Sequence, residues 1–152
     1  MEPILGFSGT KYRFMSNFYY SDVFYDGLLF KTSEHAYQAA KTLILEERKY
    51  IQSLSSPGDA KEEGSERAKK ITLRRDWNKV KIKIMTEIVA AKFNQNPKIM
   101  KQLLETGQRQ LVETNTWHDN FWGDCVCIEC RNKIGHNHLG IILMNVRGGI
   151  YI

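Results

Sequence analysis

The chain has 152 residues, of which 42% are hydrophobic and 26% charged, so we expect a single globular domain over residues 1–152. Its 22 Lys and Arg against 17 Asp and Glu give a net charge of +5, which mildly favours a phosphorylated ligand or nucleic acid as partner. Three cysteines, an odd number, argue against a fully disulfide-paired secreted protein. Because the sequence has no apolar run of membrane-spanning length and no signal-peptide pattern, we expect a cytoplasmic protein without a membrane partner.

The first half of the chain predicts a β-hairpin followed by helices. Asp26-Gly27 separates two runs of β-forming residues, 18–24 and 28–32, as a two-residue hairpin turn does. Thr32 or Ser33 can cap a helix, and the absence of Gly and Pro predicts that this helix continues to about residue 54.

The second half predicts further helices and a few short strands. Asp59 can cap a short helix, apolar spacing predicts another from about 75 to 94, and Asn96-Pro97 opens one that ends by Gly107. A short strand is expected at 108–114, a long polar loop at 115–138, and β structure at 139–152. The order predicts an α-rich α+β fold, mostly helical, with short antiparallel β elements at the N- and C-terminal ends.

Glu34, Gln38 and Lys41 are spaced at i, i+4 and i+7, so a helix places them along one face. A carboxylate, an amide and an amine on one face can do acid/base or nucleophilic chemistry. On spacing alone, a solvated face with weak side-chain pairs is the more frequent explanation. His35, which points elsewhere, is expected to cap or to pack.

Asp119 and Asp124 flank the aromatic pair Phe121-Trp122 in the polar loop. Aromatic rings with nearby carboxylates can form a stacking pocket for a flat base. The same residues can instead pin a loop to the core, with the Asp side chains in Asx-turns. Both interpretations remain open.

The chain also carries a cluster of soft ligands, Cys125-x-Cys127-x2-Cys130 followed by His136-x-His138. Four of these five can close a tetrahedral zinc site, but the spacing around Cys125 is crowded. A redox pair is not favoured, because the βαβ context of thioredoxins is absent. Free thiols in a loop are favoured over a structural zinc, and no catalytic metal or cofactor is expected. A zinc-stabilised nucleic-acid-binding protein is a further alternative.

Together, these residues resemble the NADAR family, also called YbiA-like. The resemblance rests on an ordered set of short motifs along nearly the whole chain, none of which is specific by itself. They are Phe14-Met-Ser-Asn-Phe18, Ser33-Glu-His35 with Gln38 and Lys41, Ala60-Lys61 with Gly64, Arg75-Asp-Trp77, Met85, Lys92-Phe93, Leu103-Leu104 with Thr106, Leu111-Val-Glu113, Trp122-Gly-Asp124, Asn137 with Leu139-Gly140, and Leu143-Met144 with Val146-Arg147.

The resemblance implies an N-glycosidase that hydrolyses N-ribosyl bonds to an exocyclic amine. One branch of the family cleaves ribosylaminopyrimidine phosphates of the riboflavin pathway, and another removes ADP-ribose from guanine bases. The net charge of +5 favours ADP-ribosylated guanine, in nucleic acid or nucleotide, over the riboflavin intermediates. A non-catalytic module that binds ADP-ribose or nucleic acid is the third alternative.

Glu34 and Lys41 match family positions associated with the pocket, which implies a catalytic role for both. A neutral lysine can attack C1 of a ring-opened sugar and form a Schiff base, with Glu34 as acid and base. The site must then lower the pKa of Lys41 by burial or a nearby cation. Direct displacement by carboxylate-activated water is the alternative route, and Lys61 and Lys92 are the alternative nucleophiles.

The resemblance also suggests substrate-binding residues. Phe18, Trp77 and Trp122 are candidates to stack on the base, and Asn17 and Asp124 to bond the sugar or base. Arg147 is a candidate for a phosphate, although a structural ion pair explains it equally well. The full set of substrate-binding candidates is Asn17, Phe18, Gln38, Trp77, Asp119, Trp122, Asp124 and Arg147.

The cysteine loop departs from the commonest family pattern, which has Gly where Cys125 stands. Because Gly accepts a positive φ cheaply and Cys does not, we expect a local change of conformation, or a small metal clip that braces the loop.

Overall fold

The structure, a computed structural model, describes residues 1–150. Within them the chain forms six α-helices and six short strands, which confirms the predicted helix-rich α+β class. The helices are α1 (Ser33–Ala40), α2 (Leu45–Ser53), α3 (Pro57–Glu63), α4 (Trp77–Gln95), α5 (Pro97–Glu105) and α6 (His138–Arg147). The strands are β1 (Ile4–Leu5), β2 (Val23–Tyr25), β3 (Leu28–Phe30), β4 (Leu111–Val112), β5 (Thr114–Asn115) and β6 (Asp124–Cys125).

The chain divides into two compact units. Among the described residues, one contains Met1–Ser16 and residues 98–150, and the other contains Asn17–Pro97. The expectation of a single domain over 1–152 stays a prediction.

The unit of residues 17–97 begins with the predicted hairpin. β2 and β3 pair antiparallel, with Val23 opposite Phe30 and Tyr25 opposite Leu28. Asp26 and Gly27 have φ values of 49° and 85°, which is the left-handed geometry that a two-residue hairpin turn requires.

Helix α1 packs against α2, α3 and α4, and all eight of its residues are buried. The predicted cap is Thr32, whose hydroxyl accepts a hydrogen bond from the backbone N–H of His35. Because α1 is enclosed on every side, the polar groups of its Glu, His and Gln residues each need a hydrogen-bond partner.

The prediction of one helix up to residue 54 is wrong, because residues 41–44 separate α1 from α2. The Thr42 hydroxyl bonds the Glu47 carboxylate and accepts the N–H of Ile44, while Arg48 Nε donates to the Thr42 carbonyl oxygen at 2.7 Å. These side-chain bonds replace backbone helix bonds and end α1 without Gly or Pro.

The later helices agree with the sequence, with one correction. α4 and α5 lie where apolar spacing and Asn96-Pro97 predicted them. The cap of α3 is Ser56, whose hydroxyl accepts the N–H of Asp59 at 3.0 Å, and not Asp59 itself. Asp59 instead lies in the first helical turn, where a carboxylate suits the helix dipole.

In the other unit, β1 pairs parallel with β4, and β5 pairs parallel with β6. The predicted antiparallel pairing therefore holds for the β2–β3 hairpin alone among the described strands. The predicted β element over 139–152 is wrong at residues 139–147, which lie in α6, and residues 151–152 lie outside the described residues.

The C-terminal segment is helical because its apolar residues recur at i, i+3, i+4 and i+7. Leu139, Ile142, Leu143 and Val146 are buried, and α6 packs on β4. Gly140 permits this packing, because a Cβ there would lie 2.2 Å from the Leu111 carbonyl oxygen. The helical period outweighs the β propensity of the isoleucines and valine.

None of the helices within residues 1–150 combines the length and apolar character needed to cross a membrane. The cytoplasmic location stays a prediction.

Candidate active site

Two side chains on the predicted face of α1 form a buried hydrogen-bonded pair. Gln38 Nε2 donates to Glu34 Oε1 at 2.8 Å. Glu34 is 7% exposed and Gln38 is 4% exposed, so the face is not the solvated one that spacing alone favoured. A carboxylate held away from water is suited to proton transfer.

Asn17 holds the first turn of α1 in place. Its main-chain oxygen accepts the N–H of Glu34 at 3.0 Å, and its Oδ1 accepts the Ser33 hydroxyl at 2.9 Å. Its Nδ2 lies 3.5 Å from the Met85 sulfur. These bonds fix the position of Glu34. They also occupy most of the polar atoms of Asn17, which the sequence predicted to bind the substrate.

Lys41 follows α1 and is only partly exposed. Its Nζ donates to the Gly64 carbonyl oxygen at 3.3 Å and lies 5.6 Å from the centre of the Tyr37 ring. Burial lowers the pKa of Lys41 below its usual 10.5, the Glu34 charge opposes this shift, and the Lys61 charge adds to it. Burial and a nearby cation, the two causes expected from the sequence to lower a lysine pKa, both act on Lys41.

Gly64, just after α3, allows Gln38 to take its position. A Cβ at residue 64 would lie 2.2 Å from Gln38 Oε1 and 2.9 Å from the Ala60 carbonyl oxygen. Gln38 Oε1 is buried and has no hydrogen-bond partner among the described residues. A buried acceptor beside Glu34 therefore remains free for an N–H or O–H of a ligand.

The two alternative lysines differ in their access to solvent. Lys61 is exposed, and its Nζ lies 5.9 Å from the centre of the Phe18 ring. Lys92 is 1% exposed, with its Nζ 5.2 Å from the Phe93 ring and 5.7 Å from the Tyr19 ring. Burial lowers the pKa of Lys92 to about 7, but its enclosure leaves a substrate little room to reach it.

Trp77 and His35 are both enclosed in this unit. The Trp77 ring is buried, 5.2 Å from the Tyr37 ring, so it offers little surface on which a base can stack. His35 Nε2 lies 2.9 Å from the Leu54 carbonyl oxygen and its Nδ1 2.7 Å from the Thr32 hydroxyl. Because a carbonyl oxygen only accepts, Nε2 carries the proton and Nδ1 accepts from Thr32. His35 is the packing residue that the sequence predicted.

Two of the remaining candidates, Asp119 and Asp124, order the long loop of the other unit. Asp119 Oδ1 accepts the N–H groups of Phe121 and Trp122 at 3.0 and 2.9 Å. Asp124 Oδ1 accepts the N–H of Gly135 at 3.0 Å. The Asx-turn interpretation thus describes Asp119, whereas Asp124 joins two parts of the loop that are eleven residues apart.

Trp122 and Arg147 also have partners within the same unit. The Trp122 ring meets the Phe121 ring edge-on, with centres 4.8 Å apart. Arg147 Nη1 donates to the Thr106 hydroxyl at 2.8 Å and to the Arg109 carbonyl oxygen at 2.9 Å. Arg147 therefore ties α6 to the end of α5, rather than presenting its Nη1 to a phosphate.

The structure changes the composition of the predicted cysteine cluster. The three cysteines gather with His118, and their ligand atoms lie within 4.8 Å of one another. His136 and His138 are not in this group, and their rings stack 5.5 Å apart. His118 was missed, although its position seven residues before Cys125 in the same loop was the available signal. Cys125 lies in β6 and is not among the residues with positive φ, so no left-handed strain arises there.

A surface pocket elsewhere in residues 17–97 is not favoured as the site. It is lined by residues that include Asp26, Arg48, Arg74 and Glu87. Arg48 already pairs with Asp26, and Arg74 Nε lies 2.6 Å from Asp76 Oδ1. Its charges are satisfied within the protein, whereas Gln38 Oε1 is not.

The sequence pattern of the NADAR domain matches residues 6–151. The chain belongs to the NADAR domain family. The N-glycosidase YbiA of Shigella flexneri serotype 5b is 37% identical over 148 residues, which cover 96% of this chain and 88% of that protein. The NMR structure of the Escherichia coli protein YbiA has a TM-score of 0.80, with 33% identity over 98% of this chain and 86% of that one.

Another NADAR relative has a different name. The riboflavin biosynthesis protein VVA0006 of Vibrio vulnificus is 35% identical over 136 residues, which cover 88% of this chain and 34% of that protein. The predicted family and fold are confirmed, and the predicted enzyme class agrees with the relatives that are named N-glycosidases.

Proposed function

We propose that this protein is an N-glycosidase that hydrolyses the bond between ribose C1 and an exocyclic amine, using Lys41 as nucleophile and Glu34 as acid and base. The observation that carries the proposal is the buried Glu34–Gln38 pair on the helix that Lys41 follows, together with a pKa of Lys41 that burial lowers and that the Glu34 charge influences. The N-glycosidase name of the YbiA relatives supports the reaction class.

The reaction begins when the ribose ring opens: the ring oxygen takes up a proton from solvent as its bond to C1 breaks, and C1 becomes a protonated imine with the exocyclic amine. Neutral Lys41 Nζ adds to C1. The Glu34 carboxylate takes the proton that the new ammonium group loses and passes it to the exocyclic nitrogen, whose bond to C1 breaks so that it leaves as the free amine. Water then adds to C1 of the lysine imine, with Glu34 taking up its proton. Collapse of this adduct releases Lys41 and an aldehyde sugar, which closes again.

Lys41 is a better candidate than Lys92 because it combines a lowered pKa with partial exposure. Lys92 has a pKa of about 7, which suits a nucleophile, but its 1% exposure leaves it without access to a substrate. Lys61 is exposed, and its charge acts on the pKa of Lys41.

Two substrate classes fit this reaction, and both carry phosphate. The net charge of +5 suits a phosphorylated ligand in general, which includes ADP-ribosylated guanine in nucleic acid or nucleotide. The name of the Vibrio relative supports a ribosylaminopyrimidine phosphate. We place the pyrimidine first, because net charge does not distinguish two phosphorylated substrates.

The test is a side-by-side incubation of the protein with a ribosylaminopyrimidine phosphate and an ADP-ribosylated guanine oligonucleotide, with chromatography of the released base. Borohydride added during turnover should reduce the imine and leave a ribosyl adduct on Lys41, located by peptide mass spectrometry. Lys41→Arg should abolish release and adduct, while Lys79→Arg, an exposed residue of α4, should keep both.

Each other outcome is informative. Base release without any adduct would replace the lysine route by direct displacement. An adduct on Lys61 or Lys92 would reassign the nucleophile. If the protein bound both ligands without releasing a base, it would be a non-catalytic binding module, and the proposed activity would be wrong.

A further inference from the structure

Three cysteines and one histidine converge in the loop between β5 and α6. Cys125 ends β6, Cys127 precedes a 3-10 turn over Ile128–Cys130, and Cys130 ends that turn. His118 lies earlier in the loop. The three Sγ atoms and the imidazole nitrogen all lie within 4.8 Å of one another, and no disulfide joins the cysteines.

The distances within the cluster match a tetrahedral zinc site. His118 Nδ1 lies 3.4 Å from the Sγ atoms of both Cys127 and Cys130. Zinc bonds of about 2.3 Å to sulfur and about 2.0–2.1 Å to nitrogen place two tetrahedral ligands about 3.5–3.8 Å apart. His118 Nδ1 therefore lies close to the nitrogen–sulfur separation that a central Zn²⁺ would impose on Cys127 and Cys130, and all four ligand atoms lie within 4.8 Å of one another.

The surroundings of His118 fit a metal ligand. Its Nδ1 faces the sulfurs, and its Nε2 lies 3.7 Å from a carboxylate oxygen of Glu129. A zinc-bound imidazole commonly directs its second ring nitrogen towards a carboxylate. The backbone N–H of His118 also donates to Cys125 Sγ at 3.3 Å, which holds that sulfur beside the histidine.

The backbone of His118 is adapted to this arrangement. Its φ of +68° is in the left-handed region, which a non-glycine residue adopts at some cost. The residues on either side of His118 are held by Asn115: its Oδ1 accepts the backbone N–H groups of Trp117 and Asp119, at 3.2 and 3.1 Å. The loop thus holds His118 towards the cysteines, while its side chain remains exposed.

We infer that His118, Cys125, Cys127 and Cys130 bind one Zn²⁺ as a structural site. Four protein ligands complete a tetrahedron and leave no position for a catalytic water. The metal would cross-link the loop over residues 118–130, and this role does not depend on the proposed activity of Glu34 and Lys41. Cys127-x2-Cys130 has the spacing of a zinc knuckle, and His118 takes the place that sequence gave to His136 or His138.

The first test measures metal in the full-length chain, expressed in zinc-supplemented medium and purified without a polyhistidine tag or chelator. Mass spectrometry of the elements should find close to one zinc per chain. Replacement by Co²⁺ should give the sulfur-to-cobalt charge-transfer bands and the intense visible bands of a tetrahedral thiolate site. A chain that holds no zinc and takes none up, or one with a disulfide between two of the cysteines, would overturn the inference.

Two matched histidine variants then distinguish the site from its sequence-based alternative. His118→Asn removes the ligand but keeps a residue that tolerates the left-handed conformation. It should weaken zinc binding by at least about tenfold in competition with a chelating dye. His136→Asn, an equally exposed residue of the same loop, should keep wild-type affinity.

Circular dichroism establishes that both variants fold before their affinities are compared. Zinc removal from the wild type should lower its melting temperature, and the His118→Asn protein should show a smaller shift. Loss of zinc in His136→Asn with retention in His118→Asn would overturn the ligand assignment.

Discussion

Gln38 donates from Nε2 to Oε1 of Glu34 at 2.8 Å, one helical turn away, while its own Oε1 is buried and has no hydrogen-bond partner within residues 1–150. The Gln38 amide therefore holds the Glu34 carboxylate in place through its Nε2, and its Oε1 can accept a hydrogen bond from a ligand. A buried site with an unsatisfied acceptor costs about 1–3 kcal/mol unless a ligand completes it. This relationship is why the α1 face, rather than a surface pocket, is the proposed site.

Glu34→Gln should leave the fold intact and remove the proton transfer. The new amide oxygen can still accept from Gln38, so the packing of α1 is preserved. We expect kcat to fall by about 10²–10⁴-fold, measured by release of the base. A variant with normal kcat would exclude Glu34 as the acid and base.

The same variant should change the pH dependence of the reaction. Activity requires neutral Lys41, so kcat/KM should rise with pH and level off at a pH below the usual lysine value of 10.5. The Glu34 charge raises the pKa of Lys41, so its removal should move the rising limb of residual activity to lower pH. An unchanged or upward-shifted limb would contradict the coupling between the two residues.

Gly64→Ala should disturb the Glu34–Gln38 pair, although residue 64 lies outside α1. The new Cβ would lie 2.2 Å from Gln38 Oε1, which forces the Gln38 side chain away from Glu34. We expect the free energy of unfolding to fall by about 1–3 kcal/mol and kcat/KM to fall by about tenfold or more. Urea unfolding and base release measure the two effects.

Gly58→Ala is the matched control, because its Cβ meets only Ser56 Oγ, at 3.8 Å. It should be neutral, or stabilising by up to about 1 kcal/mol, with unchanged activity. If the two substitutions changed the free energy of unfolding and kcat/KM equally, the close approach of Gly64 to Gln38 would not explain the effect.

Lys92 should make stability depend on pH in a defined window. Burial lowers its pKa to about 7 from 10.5, so between these values the unfolded chain binds one more proton than the folded chain. The free energy of unfolding should therefore rise with pH across the window, by up to about 1.4 kcal/mol per pH unit. Below about pH 7 both states are protonated, and this contribution to the slope vanishes.

Lys92→Met should remove this slope, as measured by urea unfolding at several pH values. Lys79→Met, at an exposed position of the same helix, should keep it. Parallel curves for the wild type and the Lys92 variant would show that Lys92 is protonated equally in both states.

Arg147→Gln should lower the stability of the protein without weakening its binding of the substrate. Arg147 Nη1 bonds the Thr106 hydroxyl and the Arg109 carbonyl oxygen, and its loss leaves these acceptors without that donor. We expect about 1–3 kcal/mol less free energy of unfolding and an unchanged KM. Arg131→Gln, at an exposed position, is the control. A several-fold rise in KM for a phosphorylated substrate would restore the phosphate-binding role.

Much of the fold follows from local rules. Asp26-Gly27 fixes a hairpin because it accepts two consecutive left-handed residues, and Asn96-Pro97 starts a helix because Pro suits its first turn. Local rules fail at residues 41–44, where Thr42 ends a helix through bonds to Glu47 and Arg48. Those partners are unremarkable in sequence, so no composition signal marks the break.

By itself, the sequence determined the family, the helix-rich fold and the alignment of Glu34, Gln38 and Lys41 on one face, because helical periodicity is a local property. Only the tertiary structure decided that this face is buried, since its enclosure depends on Asn17 and Gly64, which are distant in sequence. It likewise decided that His118, and not His136 or His138, meets the cysteines. A ligand set depends on where a loop folds back, and residue spacing does not contain that information.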